Sequence, residues 1–444
     1  MTHPGKKIEV AIHATHSFQK IDGFGVNINA RYWKNGYLIP AMQLLLEDLG
    51  ATLYRVDIWG KSNWIDPDGQ LGKQAALEAD HLKSIYEGEI FQRGWAMMRW
   101  LNERGIRPYL TASGDVPPWM LAPDGKTLAD FDAFTEMMVS MLWWARHHEK
   151  LDFNLFGPLN ETDIGSPEGP SLDPDGFTRL CEMLVDKLNT RGLNDIQLIV
   201  AEQAHFNSLY LEALTRSRKL LGRIAAFGLH DYSDIPPESY RQVIRVIEES
   251  PFAGTPLWMT EYGDLEQTGD REWYVAWVMT SRLFDQLEAG FNGSLVWDAF
   301  DNYHDHDEAW TIYGLLRTGL RTFTPKKRYY ACRQAFRFIL PGFERLASSC
   351  EDGGLRVLAF ANPNRDQLTI IGMNENLFPA RLNTTLVGFP QSLELQNFNY
   401  LRTSEEENCH RIGRVPAKGR NWPFTGIDVV VPPASLFTLT NISD

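Results

Sequence analysis

The segment LLLEDLG at 44–50, followed by ATLYRVDIW at 51–59, joins the apolar end of a helix to a buried strand through a single glycine. A helix C-terminus needs a left-handed residue at this point, and that conformation costs little only where there is no Cβ atom. The same unit returns at 100–111, 188–201 and 287–297. The strands are apolar on both faces, which is typical of parallel strands covered by helices.

Eight strands of this kind can be counted, with helical stretches between them. They lie near Gly23–Ile28, Leu53–Ile58, Arg107–Ala112, Phe153–Leu159, Ile196–Ala201, Ala225–Leu229, Pro256–Thr260 and Ser294–Trp297. Strict alternation of strand and helix predicts an α/β fold with a parallel sheet, and eight repeats predict that the sheet closes into a (β/α)8 TIM barrel. An open doubly wound sheet is the alternative, but no GxGxxG motif follows the first strand.

The sequence changes character near Pro341, where short strands follow one another closely and no helical period is sustained. Examples are LRVLAF at 355–360, LTIIG at 368–372 and IDVVV at 427–431. Such spacing predicts an attached antiparallel β-sandwich domain. Strand-like segments also precede the barrel. We therefore expect residues 1–20 to join the sandwich, 21–340 to form the barrel and 341–444 to form the rest of the sandwich.

Charge and composition exclude several classes of protein. The 444 residues carry 43 Lys and Arg against 57 Asp and Glu, a net charge of −14, which argues against a nucleic-acid or anionic-membrane partner. No run approaches the roughly 18 apolar residues that cross a bilayer, and no apolar segment follows the basic start of the chain. We therefore expect a cytoplasmic protein, with secretion through a removed signal left open. Four cysteines are too sparse for a disulfide scaffold.

Polar and aromatic residues stand where the predicted barrel strands end, which is where TIM barrels carry their active sites. The candidates are Arg55, Asp57, Trp119, Asn160, Glu161, Glu202, His230, Tyr232, Glu261 and Trp297. This mixture is typical of a sugar site, in which aromatic faces stack on the ring and carboxylates perform acid–base chemistry. Glu161 and Glu261 follow the fourth and seventh strands and should project into one cleft, where two carboxyl groups can cleave a glycosidic bond.

The neighbours of the two glutamates suggest how their environments differ. We expect Arg55 and Tyr232 to hold Glu261 ionised through charge and hydrogen bonding. Asn160 is expected to bind a substrate hydroxyl. Glu202 has two interpretations, contact with the substrate or pairing with a cation of the barrel wall.

The ordered set of these residues resembles clan A of the glycoside hydrolases. The matching positions are Arg55, Asn160-Glu161, His230-x-Tyr232, Glu261 and Trp297. Within the clan, IDGFG at 21–25, VPPWM at 116–120 and the passage 327–346 resemble glycoside hydrolase family thirty, although the chain departs from that family at 26–27 and 162–163. The resemblance implies a retaining β-glycosidase that acts on carbohydrate without a cofactor or metal, with Glu261 as nucleophile and Glu161 as acid/base.

Several points stay open at this level. The long loops at 60–89 and 302–322 weakly favour a closed pocket and exo-action. The loop from His304 to Asp307 contacts either the substrate or a metal, and Trp119 and Trp297 either stack on the sugar or belong to the core. Two other functions remain, a non-catalytic carbohydrate-binding protein on a degenerate barrel and a metal-dependent sugar isomerase. The sequence does not specify the sugar, the linkage or the oligomeric state.

Overall fold

A closed barrel of eight parallel strands forms the centre of the computed structural model, which describes residues 5–57, 64–265, 271–301, 312–319, 322–390, 394–417 and 425–443. The strands are β1 (Lys6–Lys20), β2 (Gly23–Asn29), β3 (Leu53–Asp57), β4 (Tyr109–Thr111), β5 (Leu155–Gly157), β6 (Gln197–Ala201), β7 (Ile224–Asp231), β8 (Leu257–Tyr262), β9 (Gly293–Val296), β10 (Leu316–Thr318), β11 (Phe323–Pro325), β12 (Glu344–Cys350), β13 (Leu355–Ala361), β14 (Leu368–Asn374), β15 (Ala380–Val387), β16 (Asn397–Thr403), β17 (His410–Pro416), β18 (Thr425–Val431) and β19 (Ser435–Thr440). The α-helices are α1 (Ile39–Gln43), α2 (Lys73–Ala76), α3 (Ala79–Tyr86), α4 (Glu89–Asn102), α5 (Phe131–His147), α6 (Pro174–Thr190), α7 (Leu209–Leu214), α8 (Pro237–Glu248), α9 (Glu272–Ala289) and α10 (Lys327–Phe336). None of the helices in these ranges is both long and apolar enough to span a bilayer.

The barrel consists of β2 to β9 in sequence order, and it closes where β2 pairs with β9 as well as with β3. The predicted eight-stranded barrel is therefore confirmed. Strand bounds differ by a few residues. For example, β4 begins at Tyr109 and not at Arg107, because Pro108 between them has no N–H group to donate to a neighbouring strand.

The first helix–glycine–strand unit shows why the glycine is needed. A π-helical segment, Leu44–Leu49, ends at Gly50, which has a φ of +80° and whose N–H closes the last turn. A Cβ atom at this position would lie 2.7 Å from the Cα of Arg337. Gly50 therefore combines a left-handed turn with a close backbone approach, and either one favours glycine.

Side chains fill the barrel interior in layers, as expected for alternating strand residues. A buried apolar layer contains Tyr109, Ile199, Ala226, Trp258 and Leu295. Arg55, Thr111 and Gly228 lie two residues beyond this apolar layer, on β3, β4 and β7. The next layer is therefore polar and has room for a charged group. The helices cover the outer face of the barrel and build the largest apolar core.

The remaining long strands form one nine-stranded sheet in the order β17-β16-β19-β14-β13-β12-β1-β15-β18. Its pairs are antiparallel except for β1 with β15, which run parallel. The Tyr400 hydroxyl of β16 donates to the carbonyl of Val430 in β18 at 2.8 Å, so strands from opposite ends of the order lie together. The sheet thus folds over a shared apolar core, and the predicted β-sandwich is confirmed with one parallel pair added. We propose that residues 1–20 and 341–444 form this sandwich domain and that residues 21–340 form the barrel.

Candidate active site

Glu161 and Glu261 meet at the C-terminal end of the barrel. Glu261 is the penultimate residue of β8, and Glu161 lies four residues beyond the end of β5. One carboxylate oxygen of each glutamate and one ring nitrogen of His230 all lie within 4.8 Å of one another. All three side chains are buried or nearly so. Glu161 and Glu261, which are 100 positions apart in the chain, therefore face each other across a gap wide enough for one bond of a substrate.

A bulge in β8 brings Glu261 to the inside of the barrel. Leu229 pairs with Met259 but His230 pairs with Glu261, so β8 contains one extra residue, Thr260, opposite β7. Regular alternation from the inward-facing Trp258 would turn Glu261 outward. The bulge instead lets both Thr260 and Glu261 face inward, which is a common use of bulges beside active sites.

Two donors and a cation surround the Glu261 carboxylate. Arg55 Nη1 donates to Oε1, and the Tyr232 hydroxyl donates to Oε2 at 2.5 Å. Burial alone would raise the pKa of Glu261, but the charges of His230 and Arg55, together with these hydrogen bonds, lower it below its usual value. Glu261 is therefore an anion at neutral pH.

Glu161 has a different environment. Its backbone is left-handed, with a φ of +45°, and its N–H donates to the carbonyl of Glu202 at 2.9 Å. Among the described residues, its carboxylate has one side-chain partner, His230, whose Nδ1 donates to Oε1 at 2.7 Å. Positive φ is uncommon in residues other than glycine and tends to occur at functional sites.

His230 lies between the two glutamates. It is fully buried on β7, and its Nδ1 is 3.6 Å from Glu261 Oε2 as well as bonded to Glu161. Burial lowers the pKa of His230, but the charges of Glu261 and Glu161 and the hydrogen bond to Glu161 raise it above its usual value. Among the described residues, the same three side chains form the group that could hold a metal ion. The Arg55 guanidinium is already bound to one of the two carboxylates.

Arg55 holds the site together from β3. Besides Glu261, its Nη1 donates to Asn27 at 2.9 Å, and its Nη2 donates to Asn160 at 2.7 Å and to Thr111 at 3.2 Å. Its Nε forms an ion pair with Glu202 at 3.1 Å. Because both terminal nitrogens of the guanidinium are hydrogen-bonded to side chains around them, Arg55 is fixed before any substrate arrives.

Glu202 pairs with a cation of the barrel wall, which is the second of its two expected interactions. It is fully buried against Arg55 and Tyr109, whose hydroxyl donates to Glu202 Oε1 at 2.5 Å. Glu202 therefore forms a charge pair with a cation of the barrel wall, and a substrate contact at Glu202 stays a prediction from the sequence.

The other predicted residues lie around this centre. Asp57 is half-buried and accepts from the Ser113 hydroxyl at 2.5 Å. Trp119 is half-buried in a short 3-10 turn and donates from Nε1 to Asp66 at 3.4 Å. Trp297 follows β9 directly and is also half-buried. The Oδ1 of Asn160 accepts from Arg55 and its Nδ2 donates to Glu168 at 3.3 Å, which leaves the second Nδ2–H as the group that can reach a substrate hydroxyl.

Three residues of the site were missed by the sequence analysis: Asn27, Tyr109 and Thr111. Each lies on a barrel strand with inward parity, and Asn27 pairs in register with Arg55. That parity is the signal that could have found them. The His304–Asp307 loop lies outside the described residues, as do 60–63 of the first long loop and 302–311 and 320–321 of the second.

The eight-stranded barrel with its attached β-sandwich is a fold that this chain shares with several solved glycoside hydrolases. Similar solved structures include a family-thirty, subfamily-eight xylanase from Clostridium acetobutylicum, with 16% identity, a TM-score of 0.73 and coverage of 97% of this chain and 99% of that one. An endo-β1,6-glucanase has 15% identity, a TM-score of 0.68 and coverage of 98% and 94%. A glucosidase from Croceicoccus marinus has 11% identity, a TM-score of 0.67 and coverage of 99% and 100%. No protein-family model matches the chain. At these identities the likeness establishes a shared fold over nearly the whole length of the chain.

Proposed function

We propose that this protein is a retaining β-glycosidase that hydrolyses O-glycosidic bonds of oligosaccharides or glycosides. The observation that carries the proposal is the pair Glu161 and Glu261, with carboxylate oxygens within 4.8 Å of each other and unlike surroundings. Carboxyl groups about 5 Å apart are typical of retaining glycosidases, whereas inverting enzymes keep them roughly 6.5–9.5 Å apart to admit a water molecule.

The first chemical step follows from the two environments. Glu261, held as an anion by Arg55 and Tyr232, attacks the anomeric carbon, and the bond from that carbon to the leaving oxygen breaks. Glu161 gives its proton to the departing oxygen, so the leaving group departs as a neutral alcohol. The sugar is then bound to Glu261 as an ester.

The second step reverses the roles. Glu161, now ionised, removes a proton from water as the water oxygen attacks the anomeric carbon. The ester bond to Glu261 breaks, and the sugar leaves with its original β configuration. His230 contacts both carboxylates and can follow the change in charge between the two steps.

The substrate is proposed to contact the residues at the rim of this centre. Asn160 and Asp57 offer hydrogen-bonding groups, and the half-exposed Trp119 and Trp297 offer aromatic faces for the sugar ring. The names of the similar structures, a xylanase, an endo-β1,6-glucanase and a glucosidase, support a carbohydrate substrate. Exo-action and a cytoplasmic location stay predictions from the sequence.

A panel of aryl β-glycosides tests the proposal. Turnover with a first product of β configuration, read by NMR, is expected. Glu261→Ala and Glu161→Ala should each lose at least roughly a thousandfold in activity. Azide should restore both, giving the α-glycosyl azide with Glu261→Ala and the β-azide with Glu161→Ala. A first product of inverted configuration would contradict the assigned roles.

Two controls separate the alternatives. A metal-dependent isomerase would lose its activity to EDTA and recover it with added divalent metal, whereas the glycosidase should keep its kcat/KM. A non-catalytic carbohydrate-binding protein would bind sugars from the panel in calorimetry without releasing aryl alcohol.

A further inference from the structure

A buried carboxylate behind the reacting pair has no role in the two steps above. Glu202 is 0% exposed and lies inside the barrel, immediately after β6. The chain leaves room for it with two glycines on the neighbouring strands. A Cβ atom on Gly228 would lie 3.0 Å from Glu202 Cγ, and one on Gly157 would collide with its Oε2. The polar layer of the barrel is therefore built around this side chain.

One guanidinium is shared between two carboxylates. Arg55 Nε is 3.1 Å from Glu202 Oε1, and Arg55 Nη1 donates to Glu261 Oε1. Glu202 also accepts from the Tyr109 hydroxyl, which fixes the oxygen that faces Arg55. The two glutamates lie on different sides of the same cation, and the cluster carries one more negative charge than positive.

Arg55 does not need this second carboxylate for its own stability. Glu261 already supplies a counter-charge, and Asn27, Thr111 and Asn160 accept from its Nη1 and Nη2 groups, while its Nε faces Glu202. Burying a further ion is costly and adds little stability on average compared with a neutral group. A glutamine at position 202 would still accept from Tyr109. What only a glutamate adds here is charge beside Arg55.

We propose that Glu202 is a positioning residue that acts through Arg55. The negative charge of Glu202 offsets part of the attraction of Arg55 for Glu261, so that the nucleophile stays reactive. This inference rests on the proposed function. Without the charge of Glu202, Arg55 would stabilise the Glu261 anion more strongly, and Glu261 would attack the anomeric carbon more slowly. The same stabilisation would make Glu261 a better leaving group in the second step. Glu202 therefore sets the balance between the two steps.

Glu202→Gln tests the idea, because it removes the charge and keeps the shape. The acid limb of the kcat/KM–pH profile, which reports the free enzyme, should move down by about one pH unit. At neutral pH, kcat/KM should fall roughly three- to tenfold. The kcat for an aryl glycoside with a very good leaving group, limited by the second step, should stay equal or rise. A merely structural role would lower kcat and kcat/KM together and leave the acid limb in place.

Two matched variants sharpen the result. Tyr109→Phe removes the hydrogen bond to Glu202 and keeps its charge, so it should leave the acid limb within about 0.3 pH units of wild type. Glu272→Gln removes a carboxylate that pairs with the buried Arg328 away from the site, and it should leave the whole profile unchanged. An acid limb that moves equally in Glu202→Gln and Tyr109→Phe would overturn the assignment to charge.

The inference and the proposed function can fail separately. If wild type turns over no glycoside of the panel, the function fails, and the pKa of Glu261 is then read directly by carboxyl 13C NMR, assigned through Glu261→Gln. Glu202→Gln should lower that pKa, and an unchanged or raised value overturns the inference. Circular dichroism and thermal unfolding establish that each variant folds. Should Glu202→Gln not fold, Gly157→Ala places a Cβ atom too close to Glu202 Oε2 and must displace that carboxylate. The pKa of Glu261 should then change, and an unchanged pKa would contradict the inference.

Discussion

Replacing Tyr232 by phenylalanine removes one defined contact from Glu261 and leaves the rest in place. The Tyr232 hydroxyl donates to Glu261 Oε2 at 2.5 Å, while Arg55 binds the other oxygen. A hydrogen bond to a charged group contributes about 1.5–3 kcal/mol, and one pKa unit corresponds to about 1.4 kcal/mol. The pKa of Glu261 should therefore rise by roughly one to two units in Tyr232→Phe.

The change has two kinetic consequences that one set of assays can separate. The acid limb of kcat/KM should move up by the same one to two units, since Glu261 must be ionised to attack. With a very good leaving group, kcat should fall about tenfold or more, because a more basic Glu261 leaves the sugar more slowly. The direction of the limb is opposite to that expected for Glu202→Gln.

Tyr240→Phe is the matched control for Tyr232→Phe. The Tyr240 hydroxyl of α8 donates to the carboxylate of Asp231, the residue before Tyr232, at 2.7 Å, so the same chemical group is lost nearby without touching Glu261. This variant should keep the acid limb of wild type. An acid limb that stays in place or moves down in Tyr232→Phe would refute the reasoning, because it would mean that the hydroxyl does not stabilise the ionised nucleophile.

Two further predictions concern stability. Gly50→Ala should lower the free energy of unfolding in urea by about 2 kcal/mol or more, because its φ is +80° and a Cβ would lie 2.7 Å from Arg337 Cα. Gly105→Ala, with a φ of +76° and open space at the Cβ position, should lose only about 1 kcal/mol, and equal losses would contradict the steric argument. Glu261→Gln should flatten the fall in stability at acid pH. The pKa of Glu261 is lowered by folding, so its stabilisation is present above its usual value of 4.5 and is lost as pH falls through the folded value; a variant with the wild-type slope would count against the assigned pKa.

The barrel was predictable from the sequence because each strand carries its own signal. Short apolar runs buried on both faces follow glycine-terminated helices, and Gly50, with its φ of +80°, shows that the glycine is required by the backbone. The bounds were less predictable where a strand depends on its neighbours. Pro108 delays β4 by two residues, while β7 runs on through His230 and Asp231 because β8 pairs with both.

The details of the site depend on pairing that no single segment specifies. Alternation along β8 would place Glu261 outside, and only the extra residue Thr260 opposite β7 turns it inward. The parallel pairing of β1 with β15 joins segments more than 360 residues apart, and the sequence of neither segment indicates that they pair. The depth of Glu202 similarly depends on Gly157 and Gly228 of the flanking strands.

The two glutamates differ because the fold holds them in different ways, and the difference matches what each must do. Glu261 is part of a strand, and two donors, Arg55 of β3 and Tyr232 directly after β7, fix its carboxylate, so it can attack one carbon atom from a constant position. Glu161 lies beyond its strand on a left-handed residue, and its carboxylate contacts only His230 among the described side chains. A nucleophile needs a fixed charge, whereas a residue that gives and takes a proton needs a partner that tolerates both of its forms. His230 is such a partner, because it is hydrogen-bonded to Glu161 and lies 3.6 Å from Glu261. One buried histidine can therefore interact with both carboxylates.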